Sequence, residues 1–141
     1  MRILFKDLSN MTRGERNCNP LNIRRVVGTH WRGEAAVQDD PAFVQFEDIT
    51  WGVRAALKLL RTYRDKYAAT SIKEIITRWA PPTENNTEGY IDAVCRLTSF
   101  GGNERLTEKE WPALIKAMAV IESRLLISDE TIDAARKLLN Q

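Results

Sequence analysis

Histidine and cysteine are scarce in this sequence, with one His and two Cys among 141 residues. His30, Cys18 and Cys95 fit no C-x-x-C or Cys/His ligand spacing, so the common zinc sites are excluded and no metal or cofactor is expected. Cys95, beside Ile91 and Val94 in a helical segment, reads as an ordinary buried thiol, and nothing in the spacing supports a bridge to Cys18. No apolar run approaches the length that crosses a bilayer. Met1-Arg2-Ile3-Leu4-Phe5-Lys6-Asp7 turns charged too soon for a secretory h-region. Synthesis in the cytoplasm without a signal peptide, and no membrane partner, are therefore expected. Repeats, low-complexity tracts and Pro/Gly/Ser linkers are missing as well, so residues 1–141 read as one domain.

What is present is a globular balance of 43% hydrophobic and 28% charged residues, in a chain long enough to bury one core unaided. The net charge of +2 conceals an uneven layout: residues 1–33 hold seven bases and two acids, residues 34–50 five acids and no base. Two opposite patches can thus face one cleft. There is no Lys/Arg-rich run or nucleic-acid module, so nucleic acid is not the expected partner.

Residues 10–50 are dense in Asn, Gly, Arg and Asp, and Val26-Val27 and Phe43-Val44-Gln45-Phe46 suit short strands or extended loops. From Thr50 the pattern turns helical. Asp48 or Thr50 can cap a central helix through about Tyr67, along which Val53, Leu57 and Leu60 recur. Ser71 with Glu74 makes a capping-box pattern before Ile72, Ile75, Ile76 and Trp79, and Pro81-Pro82 ends that helix. Asn85, Asn86 and Thr87 start a third helix carrying Tyr90, Val94 and Leu97, stopped by Gly101-Gly102. Thr107 with Glu110 precedes a fourth, with Trp111, Leu114, Ile115, Met118 and Ile121 on its apolar stripe, and Ser128 caps a last one with Ile132, Ala135 and Leu139. These stripes are read as core. The fold class expected is mainly α (α+β), about five helices with a small β or extended lobe near residues 26–47.

The segment from Arg13 to Arg25 has no apolar period and holds three Asn and four Arg. Asn amides both donate and accept, so such a loop can hold its own backbone or offer a hydrogen-bonding edge to sugar hydroxyls. Both readings stand on the residues alone. The run Arg13-Gly14-Glu15-Arg16-Asn17-Cys18-Asn19-Pro20-Leu21-Asn22-Ile23-Arg24 resembles the Arg-Gly-x-Arg-Asn-Asn-Asn-Pro-x-Asn-Ile-Arg signature of a phage and mobile-element family, variously described as virion structural or lysozyme-like. Cys18 stands where that signature has its middle Asn. Trp31-Arg32-Gly33, Asp39-Asp40, Trp51-Gly52-Val53-Arg54-Ala55 and Arg78-Trp79-Ala80-Pro81-Pro82 follow in matching order, and the similarity runs from residue 12 to about 97. The order is more distantly similar to bacterial glucosaminidase domains, in which Asn19 to Arg24, Trp31, Gly33 and Tyr90 have counterparts.

That resemblance implies a lysozyme-like fold and cleavage of peptidoglycan glycan strands, by hydrolysis or transglycosylation, at a wall reached by delivery or from within a virion. The same fold also suits a non-enzymatic module that binds wall glycan or phage structural proteins. Glycoside cleavage needs a carboxylic acid to protonate the departing oxygen, and usually a second carboxylate. Glu15 is the first candidate for the acid, although Arg13 and Arg16 beside it would oppose retention of its proton. The glucosaminidase pattern sets its own Glu well upstream of the Asn-rich stretch, not within it. Asp39, Asp40 and Glu34 are candidates for the second carboxylate, with Asp40-Pro41 also reading as a turn starter. Asn17, Asn19, Asn22, Arg24, Trp31 and Tyr90 are the expected substrate-binding residues. Of the groove candidates Trp31, Trp51 and Trp79, Trp31 is favoured by its polar setting and Trp79 is expected in the core.

Overall fold

The computed structural model describes residues 10–141. The reading of the N-terminal run as lacking a signal rests on residues 1–7, which lie outside the described ones. The described residues form six helices: α1 (Arg13–Arg16), α2 (Ile49–Tyr67), α3 (Ile72–Trp79), α4 (Thr87–Thr98), α5 (Trp111–Ser123) and α6 (Asp129–Leu139). The fold is mainly α.

The helix starts follow local hydrogen-bond chemistry. Asp48 accepts from the Thr50 N–H at 2.8 Å to open α2. Ser71 and Glu74 form a reciprocal capping box at α3, Asn86 caps α4 and Ser128 caps α6, each satisfying N–H groups that the first turn leaves without partners. At α5 the expected Thr107 cap is displaced. Glu110 receives the Thr107 N–H and hydroxyl, but that pair closes a turn ahead of the helix, which begins at Trp111 with Pro112 in its first turn. α1, read from the sequence as loop, is a single turn whose Thr12 side chain accepts from the Glu15 N–H at 3.3 Å.

α2 runs through the middle, packing along α6 and reaching α5, while α3 packs on α4 and α4 on α5. One buried cluster takes in Leu57, Leu60, Ile76, Leu114, Met118 and Ile132 from these helices, and Leu21, Ile23, Val44 and Phe46 from the segment before them. That segment is extended, and among the described residues it forms no strand. Its pairing is confined to two isolated antiparallel bridges, Arg24 with Phe43 and Glu34 with Phe46. Side chains take the place of a ladder: Gln38 donates to the Ala35 and Gln45 carbonyls and accepts from the Gln45 N–H.

Candidate functional site

The Asn-rich signature is clamped between the end of α5 and the start of α2. Thr12 donates its hydroxyl to the Ser123 carbonyl at 2.7 Å, and Ser123 donates its own to the Pro20 carbonyl at 2.8 Å. The approach requires glycine twice. A Cβ on Gly14 would lie 1.8 Å from Ser123 Oγ, and one on Gly52 would lie 2.2 Å from the Cys18 carbonyl oxygen. The loop also passes through left-handed backbone at Cys18 and Asn22, each with φ 52°, a conformation Asn adopts more readily than Cys.

Within this clamp the three asparagines diverge. Asn19, 0% exposed, donates to the Ile23 and Val44 carbonyls and accepts from the Ile23 N–H, all between 2.9 and 3.0 Å. Asn17, also buried, donates to Asp40 at 2.9 Å. The Asn19 amide is spent on the scaffold, which corrects the expectation that it binds substrate directly, and the Asn17 amide is buried against Asp40. Asn22 turns the other way: its Nδ2 donates to the carbonyl and to Oε1 of Glu122, both at 3.2 Å, and its Oδ1 is buried without a partner among the described residues.

Glu122 differs from Asp40 and the other paired carboxylates among the described residues. It sits in the last turn of α5, receives the Tyr90 hydroxyl at 3.0 Å on Oε2, and lines an open groove of about 580 Å³. Burial raises its pKa above the usual glutamate value, and this outweighs the opposing donations from Asn22 and Tyr90 and the charge of Arg24. Burial likewise pushes the Tyr90 hydroxyl up, with the Glu122 charge adding to it, so Tyr90 remains a donor. The same groove is lined by Trp31, Phe43, Tyr63 and Trp79, with Arg24, Arg78 and Glu84 among its polar lining. Trp79, expected in the core, is half-buried and donates its indole N–H to the Leu21 carbonyl at 3.3 Å. Trp51 does not line the groove, and Arg32 covers its ring at 5.4 Å from the centroid.

The three expected catalytic carboxylates are not brought together there. Neither Glu15, Asp39 nor Asp40 lines the groove. Glu15 stands in the single turn of α1, partly buried. Asp39 is exposed, and its N–H is fixed by Gln45 Oε1. Asp40 holds Arg13 in a two-pronged ion pair at 2.7 and 2.6 Å and accepts from Asn17 and from the N–H groups of Ala42 and Phe43. The Arg13 guanidinium first, and those donors with it, hold its carboxyl far below the usual range. That describes a latch across the extended segment and corrects the reading of Asp40 as a residue facing substrate. Glu34 accepts from the Trp31 N–H and lies beside a second hollow on the far side of Trp31.

Glu122 was hidden by the strength of the helix around it. Trp111 to Ile121 reads as an apolar stripe, yet Glu122 follows Met118 by four residues and Ile115 by seven, which puts a carboxylate on the buried face. It is also the only acid in α5. A lone acid at a core-facing position was the available signal. Both cysteines are free thiols. Among the described residues no cluster of His, Cys, Asp and Glu is arranged to hold a metal ion, and no helix is long and apolar enough to cross a membrane.

No protein-family model matches the chain. Protein P5 of Pseudoalteromonas phage PM2 is 42% identical over 118 residues, which cover 82% of this chain and 74% of that protein. At that identity and coverage the chain belongs to the family of the PM2 phage protein P5.

Proposed function

We propose that this protein cleaves the glycan strands of peptidoglycan, that its fold is lysozyme-like, and that Glu122 supplies the proton. The reading rests above all on one observation: a carboxyl whose proton affinity is raised by burial stands at the wall of an aromatic-lined groove, held by donors on both oxygens. A glycosidic oxygen leaves only if it is protonated as its bond to C1 breaks, and near neutral pH this requires an acid that keeps its proton. Trp31 and Trp79 offer faces on which pyranose rings stack. Kinship with a phage protein fits a target that phages meet, reached by delivery to the wall or from within a virion.

In this mechanism the Glu122 proton passes to the glycosidic oxygen. The C1–O electron pair leaves with that oxygen, and the cationic sugar is captured either by water or by a hydroxyl of its own chain. Glu122, now ionised, takes the proton of the attacking group and is restored. Asn22 and Tyr90 keep the carboxyl aimed and stabilise it during the ionised interval. Glu84 is the only other carboxylate on the groove's described lining.

The test is release of soluble muropeptides from purified peptidoglycan by the wild type, Glu122→Gln and Glu15→Gln, with products identified by mass spectrometry. Loss of about 10²–10⁴-fold in Glu122→Gln, with Glu15→Gln unaffected, is expected. The reverse pattern returns the acid role to Glu15. A folded wild type that binds glycan and releases nothing makes the protein a non-enzymatic wall-glycan or virion module.

A further inference from the structure

Three arginines away from the groove pair with carboxylates among the described residues. Arg13 pairs with Asp40, and Arg61 and Arg64 share Glu108. The two arginines that line the groove do not. Neither Arg24 nor Arg78 forms a salt bridge or donates a side-chain hydrogen bond among the described residues, although both face the same groove as Glu84 and Glu122. Each is held by an aromatic ring instead: Arg24 lies 5.3 Å from the Phe43 ring centroid and Arg78 3.5 Å from that of Tyr67. Such stacking fixes the guanidinium plane while leaving its N–H fork free to meet a carboxylate.

We infer that Arg24 and Arg78 form an anion-binding rim on the groove, which selects glycan carrying carboxylates over neutral glycan. The inference rests on the glycan reading above and narrows it. Peptidoglycan bears acidic substituents along its strand, whereas a chitin-type strand bears none, so a cationic rim separates two polymers whose sugar rings stack alike. Arg24 also acts on Glu122, since its charge favours the ionised carboxyl. A substrate carboxylate that neutralises Arg24 thereby helps Glu122 hold its proton once the anionic strand is seated.

The experiment uses the full-length Glu122→Gln protein, so that nothing is turned over, and titrates it by intrinsic tryptophan fluorescence with three probes. These are chitohexaose, a muramyl-peptide tetrasaccharide with free carboxylates, and the same tetrasaccharide with its carboxylates amidated. The free-carboxylate probe should bind about tenfold more tightly than the amidated one, and added salt should erode that preference. Adding Arg24→Gln and Arg78→Gln should reduce it to less than about threefold, with a smaller change in chitohexaose affinity. Equal binding of the free and amidated probes, with glycan binding retained, overturns the rim and leaves the glycan reading standing. If none of the three binds, the glycan reading fails and the rim with it. The amidated probe gives this answer even where an arginine variant does not fold.

Discussion

Replacing Asn19 with leucine separates a scaffold amide from a sugar-binding one. The side chain is 0% exposed, so leucine of similar size finds no solvent, and three hydrogen bonds are lost at once. The Ile23 carbonyl keeps a partner, because the Val44 N–H also donates to it at 3.0 Å. The Ile23 N–H and the Val44 carbonyl are left as two orphaned groups. At roughly 1–3 kcal/mol for each buried polar group without a partner, the cost is about 4 kcal/mol. That is a large part of the total stability of about 5–15 kcal/mol usual for a domain. Asn19→Ala should cost less, since the space left admits water to the same two groups. Urea unfolding followed by far-UV circular dichroism reads both variants, with the slope expected to stay constant and the midpoint to fall. A penalty below about 1 kcal/mol for Asn19→Leu, together with loss of glycan binding, would refute the reasoning and return this amide to the ligand.

Three further outcomes follow from the site and the clamp. Tyr90→Phe removes a donor that favours ionised Glu122, so the Glu122 pKa should rise further and the alkaline limb of the pH–rate profile should move to higher pH; a shift to lower pH would contradict the assignment. The same carboxyl carries a stability signature. Because its folded pKa is raised, its contribution is fully present below the ordinary glutamate pKa and is lost as pH rises through the folded value. Urea midpoints measured across pH should lose that dependence in Glu122→Gln. Cys18→Asn places a residue suited to φ 52° at the left-handed position and should raise stability by about 0.5–1 kcal/mol in the same unfolding assay; no gain, or a loss, would show that the thiol's packing matters more than its backbone.

The helices were legible because their ends are written in local chemistry. Asp48, Ser71, Asn86 and Ser128 each cap the helix that the apolar period announced. α1 was not legible, since one turn has no period to detect and its Thr12 cap sits among residues that read as loop. The groove was half legible. Asn22 and Arg24 of the signature and Trp31 beyond it were singled out, and all line it. Glu122 was absorbed into a strongly apolar helix, and nothing local links it to a loop 100 residues away. Asp40 misled for the complementary reason: an exposed-looking Asp-Pro pair gives no sign that Arg13, 27 residues earlier, folds back onto it.

The contacts that join the signature loop to the end of α5 span 100 to 111 residues of chain. Proton affinity at Glu122 is therefore a property that the polypeptide acquires only on completing its fold. Before that, or after local opening of either partner, Glu122 is an ordinary solvated glutamate, ionised near neutral pH and without its donors. Contacts of such long range also form slowly compared with the helices they join. If the proposed cleavage holds, an activity built this way stays silent during synthesis and reports, once it appears, that both distant pieces are in place.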